Sequence, residues 1–228
     1  MTPADMLQHD DTVILASLSL THVQFDAQDK IAYAFAYITL LPLAILVFYA
    51  SVIVSRREMA GILILLGQLT NEALNAILKE YLQMARPHSH LGTGYGMPSS
   101  HAQFMAFFAV YGSLYLWSCI RLDHTVYKVL ATLGMVSLSL LVCYSRIYLE
   151  YHSAMQVAAG MGVGTLYGLL WHWIVEFVIR PSEIIDRLLD TPLAKWIYLR
   201  DMRAIDNVAR WEYHQWLQQR QKSKCKTK

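Results

Sequence analysis

The sequence predicts an all-α protein that crosses a membrane several times. Of its 228 residues, 55% are hydrophobic and only 16% are charged, and both values are more apolar than those of typical soluble domains. Several apolar runs approach or exceed the ~20 residues that a helix needs to cross a bilayer. We therefore expect a polytopic helix bundle of about five transmembrane helices, formed by a membrane-embedded domain over residues 1–180.

Five apolar segments supply these helices. They are Ile31–Val54, Met59–Leu78, Ala102–Ile120, Val126–Tyr144 and Ala154–Ile179. Pro42 should kink the first helix, which membrane helices tolerate. In the fifth, small residues such as Gly160 and Gly164 allow close contact with a neighbouring helix. A further apolar stretch, Thr12–Val23, is too short to span; the open interpretations are an interfacial segment, a cap on the bundle, or a sixth short N-terminal helix.

The remainder of the chain, residues 181–228, is a polar, basic tail. Trp196, Trp211 and Trp216 lie among its basic residues, a composition typical of an interfacial amphipathic segment. Eleven of the 19 Lys and Arg residues follow Ile179. Because basic residues concentrate on the cytosolic side of a membrane protein, we expect a cytosolic tail.

The same rule orients the loops. With five spans, the loops that follow the first and third helices lie on the same side as the tail. The basic residues near those loops are Arg56, Arg57, Arg121 and Lys128, and with the eleven of the tail they bring the total on that side to fifteen of 19. The four remaining basic residues fall on the opposite side: Lys30, Lys79, Arg86 and Arg146. That side is therefore expected to be lumenal.

A first polar cluster lies between the second and third helices. Lys79 and Arg86 stand seven positions apart, and Ser99, Ser100 and His101 follow at the start of the next helix. Arg offers a planar fork and Lys a point charge to phosphate oxygens, and backbone N–H groups at a helix start also attract anions. Singly, such cations are usually membrane anchors and such serines helix caps, but together they indicate a phosphate site.

A second polar cluster, Ser145–His152, lies between the fourth and fifth helices and contains Arg146 and His152. Two spans separate it from the first cluster, so both must open on the same side of the membrane. Three cations brought together would stabilise the charge of a transferring phosphoryl group. We expect the two clusters to face each other and to hydrolyse a phosphate.

Polar residues inside the second helix support this placement. Glu72, Asn75 and Lys79 stand at i, i+3 and i+7 and so share one helical face. A carboxylate within a membrane span is costly and usually faces a protein or water interior. This face is therefore expected to point towards the site.

The spacing of these residues resembles that of the type 2 phosphatidic acid phosphatase superfamily of membrane lipid phosphatases. The family pattern is matched in order over roughly residues 59 to 179, by Lys79-x6-Arg86-Pro87, Pro98-Ser99-Ser100-His101 and Ser145-Arg146-x5-His152. Within that family the stretches Tyr95–Ser99 and Tyr144–Leu149 and the pair Asn71-Glu72 resemble the eukaryotic dolichyl diphosphate phosphatases.

The resemblance implies a role for each matched residue. His152 would be the nucleophile that forms a phosphohistidine, and His101 the general acid for the leaving group. The phosphate would be bound by Lys79, Arg86, Ser99, Ser100 and Arg146. No metal or other cofactor is implied, because the three cations already supply a metal's electrostatic role.

The resemblance also implies the substrate and the compartment. The enzyme would release one phosphate from dolichyl diphosphate at the lumenal face of the endoplasmic reticulum, returning dolichyl phosphate to N-glycosylation. Its partners would be the membrane and a polyprenyl (dolichyl) diphosphate lipid, and no nucleic acid. A phosphatase of lipid monophosphates and a catalytically silent lipid-binding protein remain as alternatives.

One position departs from the family pattern. The family usually has Asp four residues after the nucleophilic His, where this chain has Gln156. A Gln carbonyl oxygen can accept the ring N–H and so orient His152, but it cannot supply negative charge. We therefore count Gln156, with Glu72 and Asn75, among the residues that support the site.

Overall fold

Nine α-helices, one π-helical turn and one β-hairpin form the regular structure of the described residues. The computed structural model describes residues 15–18, 23–26, 28–88 and 94–226, with side chains described from residue 23 to residue 224 within those ranges. The strands β1 (Leu15–Leu18) and β2 (Val23–Asp26) pair antiparallel. The helices are α1 (Lys30–Ile38), α2 (Leu41–Arg56), α3 (Met59–Leu82), α4 (Ser100–Cys119), α5 (Thr125–Tyr148), α6 (Ala154–Ile174), α7 (Ile184–Leu189), α8 (Pro192–Trp196) and α9 (Val208–Lys226).

The structure is the expected polytopic membrane helix bundle. Within the described part of the chain, four segments are long and apolar enough to cross a membrane: Lys30–Arg56, Met59–Leu82, Thr125–Tyr148 and Ala154–Ile179. The fifth long helix, α4, runs through the middle of the bundle and packs against α3, α5 and α6. Its Phe107 and Tyr111 are almost fully buried. Because neighbouring helices enclose α4, it need not be apolar on every face.

The first span is broken near its middle, as its proline predicted. Helix α1 ends at Ile38 and α2 begins at Leu41, with Pro42 in its first turn. A proline lacks an N–H and fits the start of a helix better than its interior. The break leaves Thr39 buried at the inner side of the bend, where it contacts the site described below.

Two helices extend one turn beyond their predicted ends. Helix α3 continues to Leu82 rather than Leu78, and α5 to Tyr148 rather than Tyr144. Hydropathy falls at both places because polar side chains begin there, but the backbone remains helical. Consequently Lys79 and Arg146 stand on the last turns of helices and not in flexible loops.

Two glycines set the contact between α4 and α6. A methyl group added at Gly160 would lie 2.5 Å from the carbonyl oxygen of Ser99, and one at Gly164 would lie 2.2 Å from that of Gln103. Both distances are far below van der Waals contact, so only glycine permits this approach. The close packing holds the start of α4 against the start of α6, at the end of the bundle where the polar clusters lie.

The stretch Thr12–Val23 does not supply a sixth helix, so that interpretation is wrong for the described residues. Leu15–Leu18 and Val23 belong to the hairpin; residues 12–14 and 19–22 lie outside the described part of the chain. The backbone N–H of Gln24 donates to the Tyr151 hydroxyl at 2.7 Å. The hairpin therefore caps the bundle beside the second polar cluster.

The tail packs on the opposite end of the bundle through ion pairs. Arg56 at the end of α2 contacts Glu212 of α9 at 2.9 Å. Arg180, just beyond the π-helical turn Val175–Ile179 that follows α6, contacts Asp201 at 2.9 Å. Helices α7, α8 and α9 thus lie at the end of the bundle farther from the polar clusters.

Candidate active site

Arg146 is buried inside the bundle and held there by two contacts. Its side chain is 5% exposed, Nη1 donates to the Thr39 hydroxyl at 2.8 Å, and the guanidinium lies 4.0 Å from the centre of the Tyr151 ring. A cation over an aromatic face is stabilised by the ring's quadrupole. The guanidinium is thereby fixed in one orientation near His152.

His152 lies in the turn between α5 and α6 and is 3% exposed. Its backbone N–H donates to the carbonyl oxygen of Arg146 at 3.2 Å. Its Nδ1 lies 3.1 Å from Oε1 of Gln156. The Gln156 amide cannot be reversed, because its Nε2 donates to the carbonyl oxygen of Ala85 at 2.8 Å. Oε1 is thus the acceptor, Nδ1 carries the proton, and Nε2 of His152 keeps a free lone pair.

Burial lowers the pKa of His152 from 6.5 to about 4, and the positive charge of Arg146 is the next largest cause. The charges of Arg86 and Lys79 act in the same direction. The hydrogen bond to Gln156 raises the pKa but does not outweigh these effects. An imidazole with so low a pKa is unprotonated at neutral pH. The ring can therefore act as a nucleophile without first losing a proton.

The loop after α3 folds back onto the start of α6. Nε of Arg86 donates to the Gly94 carbonyl oxygen at 3.4 Å, and the N–H of Gly96 donates to the Met84 carbonyl oxygen at 2.7 Å. A methyl group added at Gly96 would lie 2.7 Å from the Gln156 amide nitrogen. Gly96 therefore allows the loop to approach Gln156 and positions Arg86 over the site.

Ser99, Ser100 and His101 form the entry into α4. Ser99 is fully buried, its N–H donates to the Gln156 carbonyl oxygen at 3.1 Å, and its hydroxyl has no hydrogen-bond partner among the described residues. His101, on the first turn, is partly buried. Electrostatic interactions link its ring to Arg146, His152, Lys79 and Arg86.

A buried amide network joins α3 to α4 beneath the site. Asn75 donates to Oε1 of Gln103 at 2.8 Å, and Nε2 of Gln103 donates to Oδ1 of Asn71 at 2.9 Å. All three side chains are at most 1% exposed. Asn75 thus supports the site by holding α3 against α4 rather than by contacting the phosphate. Gln103 belongs to the same hydrogen-bond network, and the sequence patterns did not indicate it.

Glu72 occupies a different position from Asn75. The Glu72 side chain is exposed at the surface of the bundle, and it lines a cavity that is also lined by Ser100 and His101.

Electrostatic interactions connect His101 and His152 with Lys79, Arg86 and Arg146, so the structure brings residues of the two sequence clusters together. Thr39 joins them although no sequence motif marked it, and Tyr151, an unassigned position within the second cluster, contacts Arg146 through its ring. Among the described residues, no group of three or more His, Cys, Asp or Glu side chains is arranged to hold a metal ion.

Comparison with known proteins identifies relatives over most of the chain. The family model described as the PAP2 superfamily matches residues 60–180. The chain is 35% identical over 208 residues to dolichyldiphosphatase 1 of Homo sapiens, covering 86% of both chains. It is 36% identical over 203 residues to dolichyldiphosphatase 1 of Dictyostelium discoideum, covering 87% of this chain and 88% of the relative. With the dolichyldiphosphatase of Saccharomyces cerevisiae it shares 34% over 189 residues and 79% of both chains.

One solved structure is similar in fold. It is a transmembrane PAP2-type phosphatidylglycerolphosphate phosphatase from Bacillus subtilis, with a TM-score of 0.54 and 24% sequence identity over 66% of this chain and 79% of that one. At this identity the likeness concerns the fold alone. It agrees with the helix bundle described above.

Proposed function

The chain belongs to the PAP2 superfamily, and we propose that it hydrolyses dolichyl diphosphate to dolichyl phosphate and inorganic phosphate. The observation that carries this proposal is the buried, unprotonated His152, oriented through Nδ1 and surrounded by Arg146, Arg86 and Lys79. The substrate is inferred from relatives named dolichyldiphosphatase, which align with most of the chain at about one-third identity.

In the first step, Nε2 of His152 attacks the terminal phosphorus atom. The bond from that phosphorus to the bridging oxygen breaks, and its electron pair leaves with dolichyl phosphate. His101 donates a proton to the leaving oxygen, as a general acid. The products of this step are dolichyl phosphate, a phosphohistidine at position 152 and a neutral His101.

In the second step, water attacks the phosphorus of the phosphohistidine. The phosphorus–nitrogen bond breaks, its electron pair returns to Nε2, and His101 takes a proton from the water. In both steps Lys79, Arg86 and Arg146 stabilise the charge on the equatorial oxygens. The buried hydroxyl of Ser99 and the N–H groups at the start of α4 are further donors for the phosphate; Ser100 completes this set.

The proposed location is the endoplasmic reticulum membrane, with the site lumenal and the tail cytosolic. The basic tail supports this orientation, because it packs at the end of the bundle opposite His152 and positive residues favour the cytosolic side. The reaction would then regenerate dolichyl phosphate as a lipid carrier for N-glycosylation.

The deciding experiment measures phosphate release by the purified protein in detergent. Dolichyl diphosphate and phosphatidate are supplied side by side, and His152→Ala serves as the inactive control. We expect faster release from dolichyl diphosphate. Equal rates would make the protein a broader lipid phosphatase, and release from neither substrate would support a silent lipid-binding protein.

A further inference from the structure

Gln68, Glu72 and His101 line one cavity of about 340 Å³ between α2, α3 and α4. Helix α2 contributes only apolar side chains to its wall, among them Pro42 and Leu46. Glu72 is the acidic residue of this lining. The cavity therefore joins a carboxylate to the proposed general acid in surroundings that are otherwise mostly apolar.

The buried amide of Gln68 marks the cavity as a place for polar contacts. Gln68 is 1% exposed, and neither its Nε2 nor its Oε1 has a hydrogen-bond partner among the described residues. It stands four residues before Glu72, on the same helical face. Since buried amides are nearly always hydrogen-bonded, this wall is suited to water or another polar group that connects it with Glu72.

Three cations act on the His101 ring: Lys79 from α3, Arg86 from the following loop and Arg146 from α5. The neighbouring His152 also acts on the ring, but it is unprotonated at neutral pH. Nearby cations disfavour a protonated imidazole, yet a general acid must carry a proton before it can donate one. A negative charge that reaches His101 would offset this effect, and Glu72 lines the same cavity as His101.

We propose that Glu72 is a positioning residue for His101, whose carboxylate stabilises the protonated imidazole across the shared cavity. The inference rests on the proposed function in taking His101 as the general acid. The competing role for Glu72 is that of a partner to Lys79, the cation that acts on it from its own helix. These two roles predict different changes when the charge is removed.

The direct test follows the titration of His101 by NMR in 15N-histidine-labelled protein in detergent, with the resonance assigned by His101→Asn. In Glu72→Gln the midpoint should fall by about one pH unit or more, the usual effect of a nearby charge. Glu72→Asp keeps the negative charge, so its His101 midpoint should lie close to that of the wild type. Glu80→Gln is the matched control, because Glu80 is exposed on the same helix, and it should leave the midpoint unchanged.

An unchanged His101 midpoint in Glu72→Gln would overturn the proposal, whether or not the protein hydrolyses dolichyl diphosphate. If the wild type is active, the alkaline limb of its kcat profile should move to lower pH in Glu72→Gln. A higher KM with an unmoved limb would instead assign Glu72 to Lys79 and also overturn the proposal. An inactive wild type would refute the proposed function, while the NMR titration would still decide the role of Glu72.

Discussion

The side chain of Gln156 joins His152 to the backbone of Ala85. Its Oε1 lies 3.1 Å from Nδ1 of His152, and its Nε2 donates to the Ala85 carbonyl oxygen at 2.8 Å. Gln156 is also the third residue of α6 and completes a capping box with Ser153. One neutral side chain thus starts the helix, holds the loop that carries Arg86, and fixes the tautomer of the proposed nucleophile.

Replacing either proposed catalytic histidine should remove most or all of the turnover. We expect His152→Ala to reduce phosphate release to background, because no phosphohistidine can form. His101→Ala should lose about 10²–10⁴-fold, the usual contribution of a general acid. His214→Ala, on the exposed surface of α9, is the control and should keep wild-type activity. Size-exclusion profiles establish that each variant is folded, and a folded His152→Ala with substantial activity would refute the nucleophile assignment.

The low pKa of His152 predicts how stability depends on pH. The folded-state pKa is about 4, against 6.5 for an ordinary imidazole, so the unfolded chain binds more protons between these values. Stability should therefore fall as pH drops below about 6.5, by about 2 kcal/mol at pH 5, with no contribution from this group at higher pH.

The measurement compares the apparent Tm of wild type and His152→Asn between pH 7.5 and pH 5. The Asn variant lacks the titrating group, so its Tm should decrease less than that of the wild type over this interval. Other histidines titrate in both proteins and cancel in the difference. Parallel curves would show that His152 is not held neutral by the fold.

Thr39 should matter although it lies far from every motif. Its hydroxyl accepts from Nη1 of Arg146 at 2.8 Å, and Thr39→Val removes this acceptor while keeping the shape. A hydrogen bond to a charged group contributes about 1.5–3 kcal/mol, so kcat/KM should fall roughly 10- to 100-fold if Arg146 binds the phosphate. Thr39→Ser retains the hydroxyl and should stay near wild type. Equal activities of the two variants would show that this contact does not position Arg146.

Sequence patterns predicted the spans well, because the hydrophobic requirement of a bilayer acts on every residue of a helix. They misplaced the ends of α3 and α5, because polar side chains such as Lys79 and Arg146 lower the hydropathy there although the backbone remains helical. The hairpin was missed for another reason. Its contact between Gln24 and Tyr151 joins residues 127 positions apart, and no local pattern encodes such a pair. The role of Gln103 in joining α3 and α4 was hidden in the same way.

The topology prediction follows from the distribution of charge. Glycosylation acceptor sites inserted near Gly92, in the part of the α3–α4 loop outside the described residues, should be used if the site is lumenal and the inserts reach far enough from the membrane. Acceptor sites placed after Trp216 in the basic tail should remain unmodified. A mobility shift that is removed by a glycosidase provides the readout. Modification of the tail would invert the proposed orientation.

Gln156→Asp tests why this chain uses a neutral residue beside His152. An Asp would still accept the Nδ1 proton and would add a negative charge that stabilises the imidazolium formed on attack, as in the family pattern. Without that charge His152 should be a weaker nucleophile. A weaker nucleophile suffices for a diphosphate, whose leaving group is a phosphate ester with a second pKa of about 6 by analogy with phosphorylated side chains. A monophosphate ester must expel an alkoxide, a poorer leaving group that needs a stronger nucleophile and more assistance from the general acid.

The wild type should therefore cleave dolichyl diphosphate much faster than dolichyl phosphate or phosphatidate. Gln156→Asp should raise the ratio of monoester to diphosphate hydrolysis, measured as kcat/KM for both substrates in the same preparation. Gln156→Asn is the matched control, because it has the length of Asp without the charge, and it should not raise the ratio. Both replacements shorten the side chain by one methylene and so change its reach to His152 and to the Ala85 carbonyl oxygen, and the comparison between them tests what the negative charge adds. A ratio that is the same in Gln156→Asp and Gln156→Asn would show that the charge beside His152 does not select the leaving group.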